Sequence, residues 1–445
     1  MNSQTIALNP ETANFQPTVN GYKKKAAVAS AIISRRANPF VTLAKAVSLS
    51  LLLCVAVAVP STPVAAQAPA GQLQGHYTTI PLQGNTPEQA LQESLAGTTL
   101  PMWTTTVQTK NWWFGQTNYK IQSLGGAYSG NTTTDLPTIL IPIVLNFIDS
   151  SGQYIVATFD PTQPAPACAG GVTPVTAVQQ SPLFNNSGPF MWGSPKVNFG
   201  TTQYVDALGR AEWYPSDATD GNWHTLFQLS STVLTVTINV PYGAWQLYSA
   251  PCGRLGAVYN PSLDSTVRGL ISALSNYGVN STTLPVVLLS NVVSYNLDKS
   301  NNIECCTLGY HSAYGSPLQV YAEAMFDGTG AFPNSADITP LSHELAESVN
   351  DPTITNWAPQ WGHIGQVTGC QGNLEVGDPL SGTQYPVITL SGFAYHPQEL
   401  AMMTWFYGIN SGLGWYSNNG TFKSPAAACF TFNPWIQFTN PVPID

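Results

Sequence analysis

Ionisable side chains are scarce in this chain: Lys, Arg, Asp and Glu make up 8% of its 445 residues, and there are only 6 His. Of the 14 Lys and Arg, Lys23, Lys24, Lys25, Arg35, Arg36 and Lys45 stand in the first 66 residues, where Glu11 is the only acid. Residues 67–445 therefore keep 8 basic against 22 acidic residues, a net charge near −14. So few cations cannot supply the phosphate contacts that nucleic acid or an anionic bilayer would need, and both are excluded as partners. Also missing are a GxSxG elbow, a phosphate-binding glycine loop and a lone cysteine with a convincing base, so serine, nucleotide and thiol chemistry find no support. No internal repeat is visible. The apolar run 47–59 is shorter than the roughly 20 residues of a membrane span.

That run follows the basic stretch and precedes PSTPVAA at residues 60–66, the pattern of a secretory signal with cleavage expected after Ala66; uncleaved, it would be an anchor. The expected location is extracellular, with the periplasm or cell surface as variants. Removal of the signal takes Cys54 with it and leaves Cys168, Cys252, Cys305, Cys306, Cys370 and Cys429. An even number in an exported chain predicts a disulfide framework whose connectivity the sequence leaves open. Adjacent Cys305 and Cys306 lack the spacing of a zinc knuckle and are expected to be structural, paired outward or with each other. Cys429 is the favoured partner of Cys370.

Three regions are expected: the signal at 1–66, a peripheral segment at 67–130 and one domain over 131–445. Thr86, Pro87, Gln89 and Gly97 predict a capped helix over 86–96. Trp103, Trp112, Trp113 and Phe114 suit packing on the main body or, alternatively, a sugar-binding platform. Apolar and alternating runs predict strands over 138–147, 154–159, 233–240, 284–295 and 318–326, with Pro142 implying an edge or bulge. Helical spacing predicts helices over 201–214, 262–275 and 400–407. The class is α+β, β-rich towards the N-terminus and loop-rich towards the C-terminus.

The one place where ionisable residues cluster at a useful spacing is residues 342–348, SHELAES. Thr339 is the expected N-cap, Pro340 suits the first helical position, and Asn350, Asp351 and Pro352 end the run. On a helix His343 and Glu347 share a face, one turn apart, with Glu344 about 100° round. The pattern HExxE resembles the zincin motif HExxH, in which the outer residues ligate zinc and the inner Glu is the base for a water. The plain alternative is an exposed His/Glu pair that supports the helix. The order of elements resembles a zincin sheet, with 318–326 in the place of its substrate-binding edge strand.

A third ligand is expected downstream. Glu375 is the first choice, with Asp378 as second ligand or as orienting partner. A calcium site built from Glu347, Glu375 and Asp378 is the alternative to zinc. His396, His311 and His363 are further candidates, His396 also suiting a capping role.

The run from Ser342 to Glu347, then Asn350, Asp351, Pro352 and Trp357, then Leu374, Glu375, Val376, Gly377 and Asp378, resembles the phosphate-induced, EXORDIUM-like extracellular proteins. Gly309, Tyr310 and His311 match a Gly-Tyr-His of that family. The longer pattern, with Trp361 to Gln366 and Tyr395 to Leu400, resembles a group of secreted bacterial proteins. The likeness covers residues 300–380 and places Glu375 and Asp378 with the helix motif. The functional expectation is a secreted metal-dependent hydrolase acting on a peptide or protein. The alternative is a non-catalytic, metal-stabilised module that binds cell-surface polysaccharide.

Overall fold

The strand Thr133–Ile148 is the axis of the fold. Its residues 133–138 pair in parallel with His224–Leu229, and 143–147 pair in parallel with 236–240. On its other side 138–142 pair in parallel with 284–288, and 145–148 pair antiparallel with Ile155–Phe159. Pro142 was expected at an edge or bulge but lies inside this central strand. It sits where the strand changes partners on both sides, so its missing N–H costs no regular ladder bond.

The sheet has nine strands. Beyond Leu284–Ser290 come Gln319–Phe326 in parallel, Gly309–Tyr314 antiparallel, and Ile80–Gln83 in parallel at the edge; Ser3–Ile6 lies beyond Val233–Val240 at the other. The computed structural model describes residues 3–6, 73–111, 115–165, 168, 170–214, 222–362, 364–365, 370–427 and 429. The expected signal segment lies outside them apart from residues 3–6. The described residues fall in one compact unit, Met1–Phe15 with Ala68–Asp445. Among them no helix is long and apolar enough to cross a membrane.

Side chains alternate across a strand, and the alternation divides the core. Leu136, Leu140, Val286, Leu288, Ala322 and Ala324 face the helix Thr339–Asn350 through Leu341, Leu345, Ala346 and Val349. Ile139, Ile141, Val287 and Leu289 face the helix Asn260–Ala273 through Leu263, Val267, Leu270 and Ile271. The result is an α+β fold with one large mixed sheet and few helices.

The expected strand 284–295 is two. Asn291 takes a left-handed conformation (φ 56°), donates its backbone N–H to Phe326 O at 3.1 Å, and accepts Gly328 N–H on its side chain at 2.7 Å. Asn tolerates this conformation. The chain thereby leaves the large sheet, and Val292–Leu297 joins a four-stranded sheet with Trp245–Ala250, Gly253–Tyr259 and Ile303–Thr307. The first expected helix is Pro87–Leu95, with Thr86 and Gln89 forming a full capping box. Those expected at 201–214 and 262–275 are Tyr204–Glu212 and Asn260–Ala273. Only Met403–Tyr407 of 400–407 is helical, because Ala401 bridges to Ser417 instead.

The hairpin Met102–Asn111 and Gly115–Leu124 packs Met102, Trp103, Val107 and Ile121 into the motif-helix core. Asn356 locks it there, its Oδ1 accepting Gln122 N–H at 2.8 Å and its Nδ2 donating to Gln122 O at 2.7 Å. Trp103 packs edge-on against Tyr128 and Trp213, the packing role rather than the platform; Trp112, Trp113 and Phe114 lie outside the described residues. The cysteines pair as Cys168 with Cys252, Cys305 with Cys306, and Cys370 with Cys429.

Candidate metal centre

Every residue of Thr339–Asn350 is buried, so the reading of HExxE as an exposed helix-supporting pair fails. The helix begins at Thr339, with Ile338 as N-cap and Pro340 in the first turn. The expected cap Thr339 instead donates its hydroxyl to Ala336 O at 2.8 Å and His396 O at 2.5 Å.

His343 Nε2 lies 3.1 Å from Glu347 Oε2 and 3.6 Å from Asp378 Oδ1. Three ligand atoms around a tetrahedral ion at zinc-like distances stand about 3.3 Å apart, so these separations suit a shared cation. The neighbouring atoms aim the ligands inward. Gln398 donates Nε2–H to Gly377 O at 2.6 Å and its backbone N–H to Ser342 Oγ at 2.8 Å, which turns its Oε1 towards His343 Nδ1 at 3.2 Å. Nδ1 therefore carries a proton and Nε2 faces the cluster; burial would lower the imidazole's pKa, but Glu347 and Asp378 outweigh it and raise it. Glu347 is held likewise: Gly377 N–H donates to its Oε1 at 3.0 Å and leaves Oε2 for the centre. A Cβ on Gly377 would stand 2.3 Å from His343 Nδ1, so this approach of loop to ring needs glycine.

A second group shares Glu347. His311, on Gly309–Tyr314, donates Nε2–H to Asp351 O at 3.2 Å and turns Nδ1 to Glu344 Oε2 at 3.2 Å and Glu347 Oε2 at 3.6 Å. Its Nε2 is 4.0 Å from Glu375 Oε2, while Asn373 Nδ2 donates to Glu375 Oε1 at 3.0 Å. Two triads can thus hold a cation: His343, Glu347 and Asp378, or His311, Glu347 and Glu375. The sequence-based set of His343, Glu347 and Glu375 is divided between them, with Asp378 beside His343. His396 joins neither; its Nδ1 is 2.6 Å from Asp337 Oδ2. His363 lies outside the described residues.

Burial and the neighbouring Glu347 push the carboxyls of Glu344 and Glu375 well above the usual range, and the same causes push Asp378 up to about 8. Glu347 moves the other way: burial would raise it, but His343 and His311 outweigh that and hold it down. One buried atom of the cluster, Glu344 Oε1, makes no hydrogen bond. Buried polar atoms are rarely left so. One nitrogen and several carboxylate oxygens, with the far sides of His343, Glu347 and Glu375 tied down, fit a divalent cation that would displace the protons these acids otherwise carry.

Sequence reasoning missed Tyr77, whose ring stacks on His343 with centroids 3.5 Å apart and planes at 13°. It also missed the orienting role of Gln398, since nothing local marks either residue. Comparison with protein-family models, curated proteins and solved structures returns no match.

Proposed function

We propose that the chain is a secreted metal-dependent hydrolase of the zincin type whose target is a peptide bond. The observation that supports it best is the buried His343 Nε2, which lies 3.1 Å from Glu347 Oε2 and 3.6 Å from Asp378 Oδ1 while its other nitrogen is held by Gln398. Zinc suits the His343, Glu347 and Asp378 set better than calcium, which favours six to eight oxygens and no imidazole. A divalent cation held there supplies a Lewis acid for a carbonyl and acidifies a water.

The chain's own residues do the rest. Glu344 Oε1 is buried without a partner, beside the triad on the same helix, and takes the proton of the attacking water. His311, fixed through Nε2 by Asp351 O, holds Glu344 Oε2 in place. Glu344 then passes the proton to the leaving amine. The three disulfides accord with an extracellular setting.

One observation favours the non-catalytic alternative: His343, Glu344 and Glu375 are 0% exposed, as in a closed structural site. A Glu344→Gln variant decides between them. The hydrolase reading expects full metal content and loss of turnover on an unfolded protein substrate by about 10²- to 10⁴-fold. Turnover equal to wild type removes Glu344 as the base, and a wild-type protein that holds metal but cleaves nothing in any form supports the structural module.

A further inference from the structure

The strand expected to offer a substrate edge, 318–326, lies inside the sheet, between Leu284–Ser290 and Gly309–Tyr314. The antiparallel strand on its outer side is Gly309–Tyr314, and the chain's own N-terminal part covers it. His76 bridges in parallel to Thr307: Cys306 N–H donates to Gln74 O at 3.0 Å, His76 N–H to Cys306 O at 2.9 Å and Leu308 N–H to His76 O at 2.8 Å. Ile80–Gln83 continues the cover along Ser312 and Tyr314. Of residues 73–83 only Tyr77 is buried, and its ring lies on His343.

Leu73, Ile80 and Leu82 pack half-buried against the cores and His76 Nε2 meets Thr307 Oγ1 at 3.1 Å, so backbone pairing at the sheet edge and Tyr77, which stands over the candidate ligand, are the segment's main anchors. Beside it is a cavity of about 280 Å³ lined by Leu73, Gln74, Tyr77, Leu308, Phe332 and Thr339, which runs from this segment to the start of the motif helix. The segment ends in the exposed turn Gln83 to Thr86, where Gly84 has φ 77°.

We propose that residues 73–83 are a displaceable strap that closes the centre with Tyr77 and occupies the strand edge 306–314. The folded chain is then a latent form, opened when an extended polypeptide takes the strap's place on that edge. This rests on the hydrolase reading and accounts for its buried site. Lifting the strap joins the adjacent cavity to His343 and frees backbone groups of Cys306 and Leu308 for a substrate strand.

The test uses the full chain as wild type, Tyr77→Ala, Tyr77→Phe and His76→Pro, the last removing the N–H given to Cys306 O. Metal-stripped protein is treated with diethyl pyrocarbonate and modification of His343 is mapped by mass spectrometry, with part-exposed His224 and His396 as internal references. Metal-loaded protein is mixed with EDTA and the rate of metal loss is measured. Tyr77→Ala and His76→Pro should raise both rates roughly tenfold or more, and Tyr77→Phe, which keeps the ring, should stay nearer wild type than Tyr77→Ala. Unchanged labelling in both opening variants overturns the strap, and so does a Tyr77→Phe chain that behaves like Tyr77→Ala, which would make the hydroxyl part of the centre. If no chain binds metal, the hydrolase reading fails and the labelling alone decides the strap.

Discussion

At the scale of residues, Gln398 decides which nitrogen of His343 faces the cluster, because its backbone N–H is fixed on Ser342 Oγ and its side-chain amide on Gly377 O and His343 Nδ1. Gln398→Ala would free the ring to turn and to change tautomer. Partners that orient a metal-binding histidine are worth about 10- to 100-fold in affinity, so chelator competition should find a dissociation constant weaker by that factor. Affinity equal to wild type would show that Gln398 does not orient the ligand. The contrast with His343, Glu344 and Glu347 is instructive. Those three were legible because a helix converts a four-residue spacing into a shared face, whereas Gln398 and Tyr77 reach the ring from distant segments that carry no such period. Gly377 belongs to the second kind, since its need for glycine comes from the closeness of a ring 34 positions earlier in the chain.

At the scale of elements, the helix Thr339–Asn350 supplies three side chains of the centre, and the loop carrying Glu375, Gly377 and Asp378 supplies most of the rest. Helix and strand were legible where apolar residues repeat, as in Thr133–Ile148 and Asn260–Ala273. The break at Asn291 was not, because a run of apolar residues on both sides hides a residue whose partners, Phe326 O and Gly328 N, are remote in sequence. The edge position was misplaced for a similar reason: strand order in a sheet is set by pairing between segments, and no local pattern reports it. The loop is stapled by Cys370 and Cys429, which lie 59 positions apart with Cα atoms separated by 5.8 Å. Closing a loop of that size restricts the unfolded chain by up to about 4 kcal/mol. Replacing both cysteines with serine should therefore lower the melting temperature and weaken metal binding together. A melting point and affinity both unchanged would show that the staple holds neither the fold nor the loop.

At the scale of the whole molecule, an acid-rich chain with few cations gathers His311, His343 and several carboxylates at one buried point between sheet and helix. Such a cluster without a cation would be costly unless its acids kept their protons, and the raised carboxyls of Glu344, Glu375 and Asp378 follow from that. The ring of Tyr77 covers this point, and the Cys370–Cys429 pair staples the loop beside it. Metal analysis of dialysed protein, as wild type and as His343→Ala, is the most direct measurement of the claim. The account predicts about one tightly held divalent ion per wild-type chain and its loss from a variant that still folds. A wild-type chain that holds no metal and takes up none on titration would contradict it, and so would a variant that keeps as much as wild type.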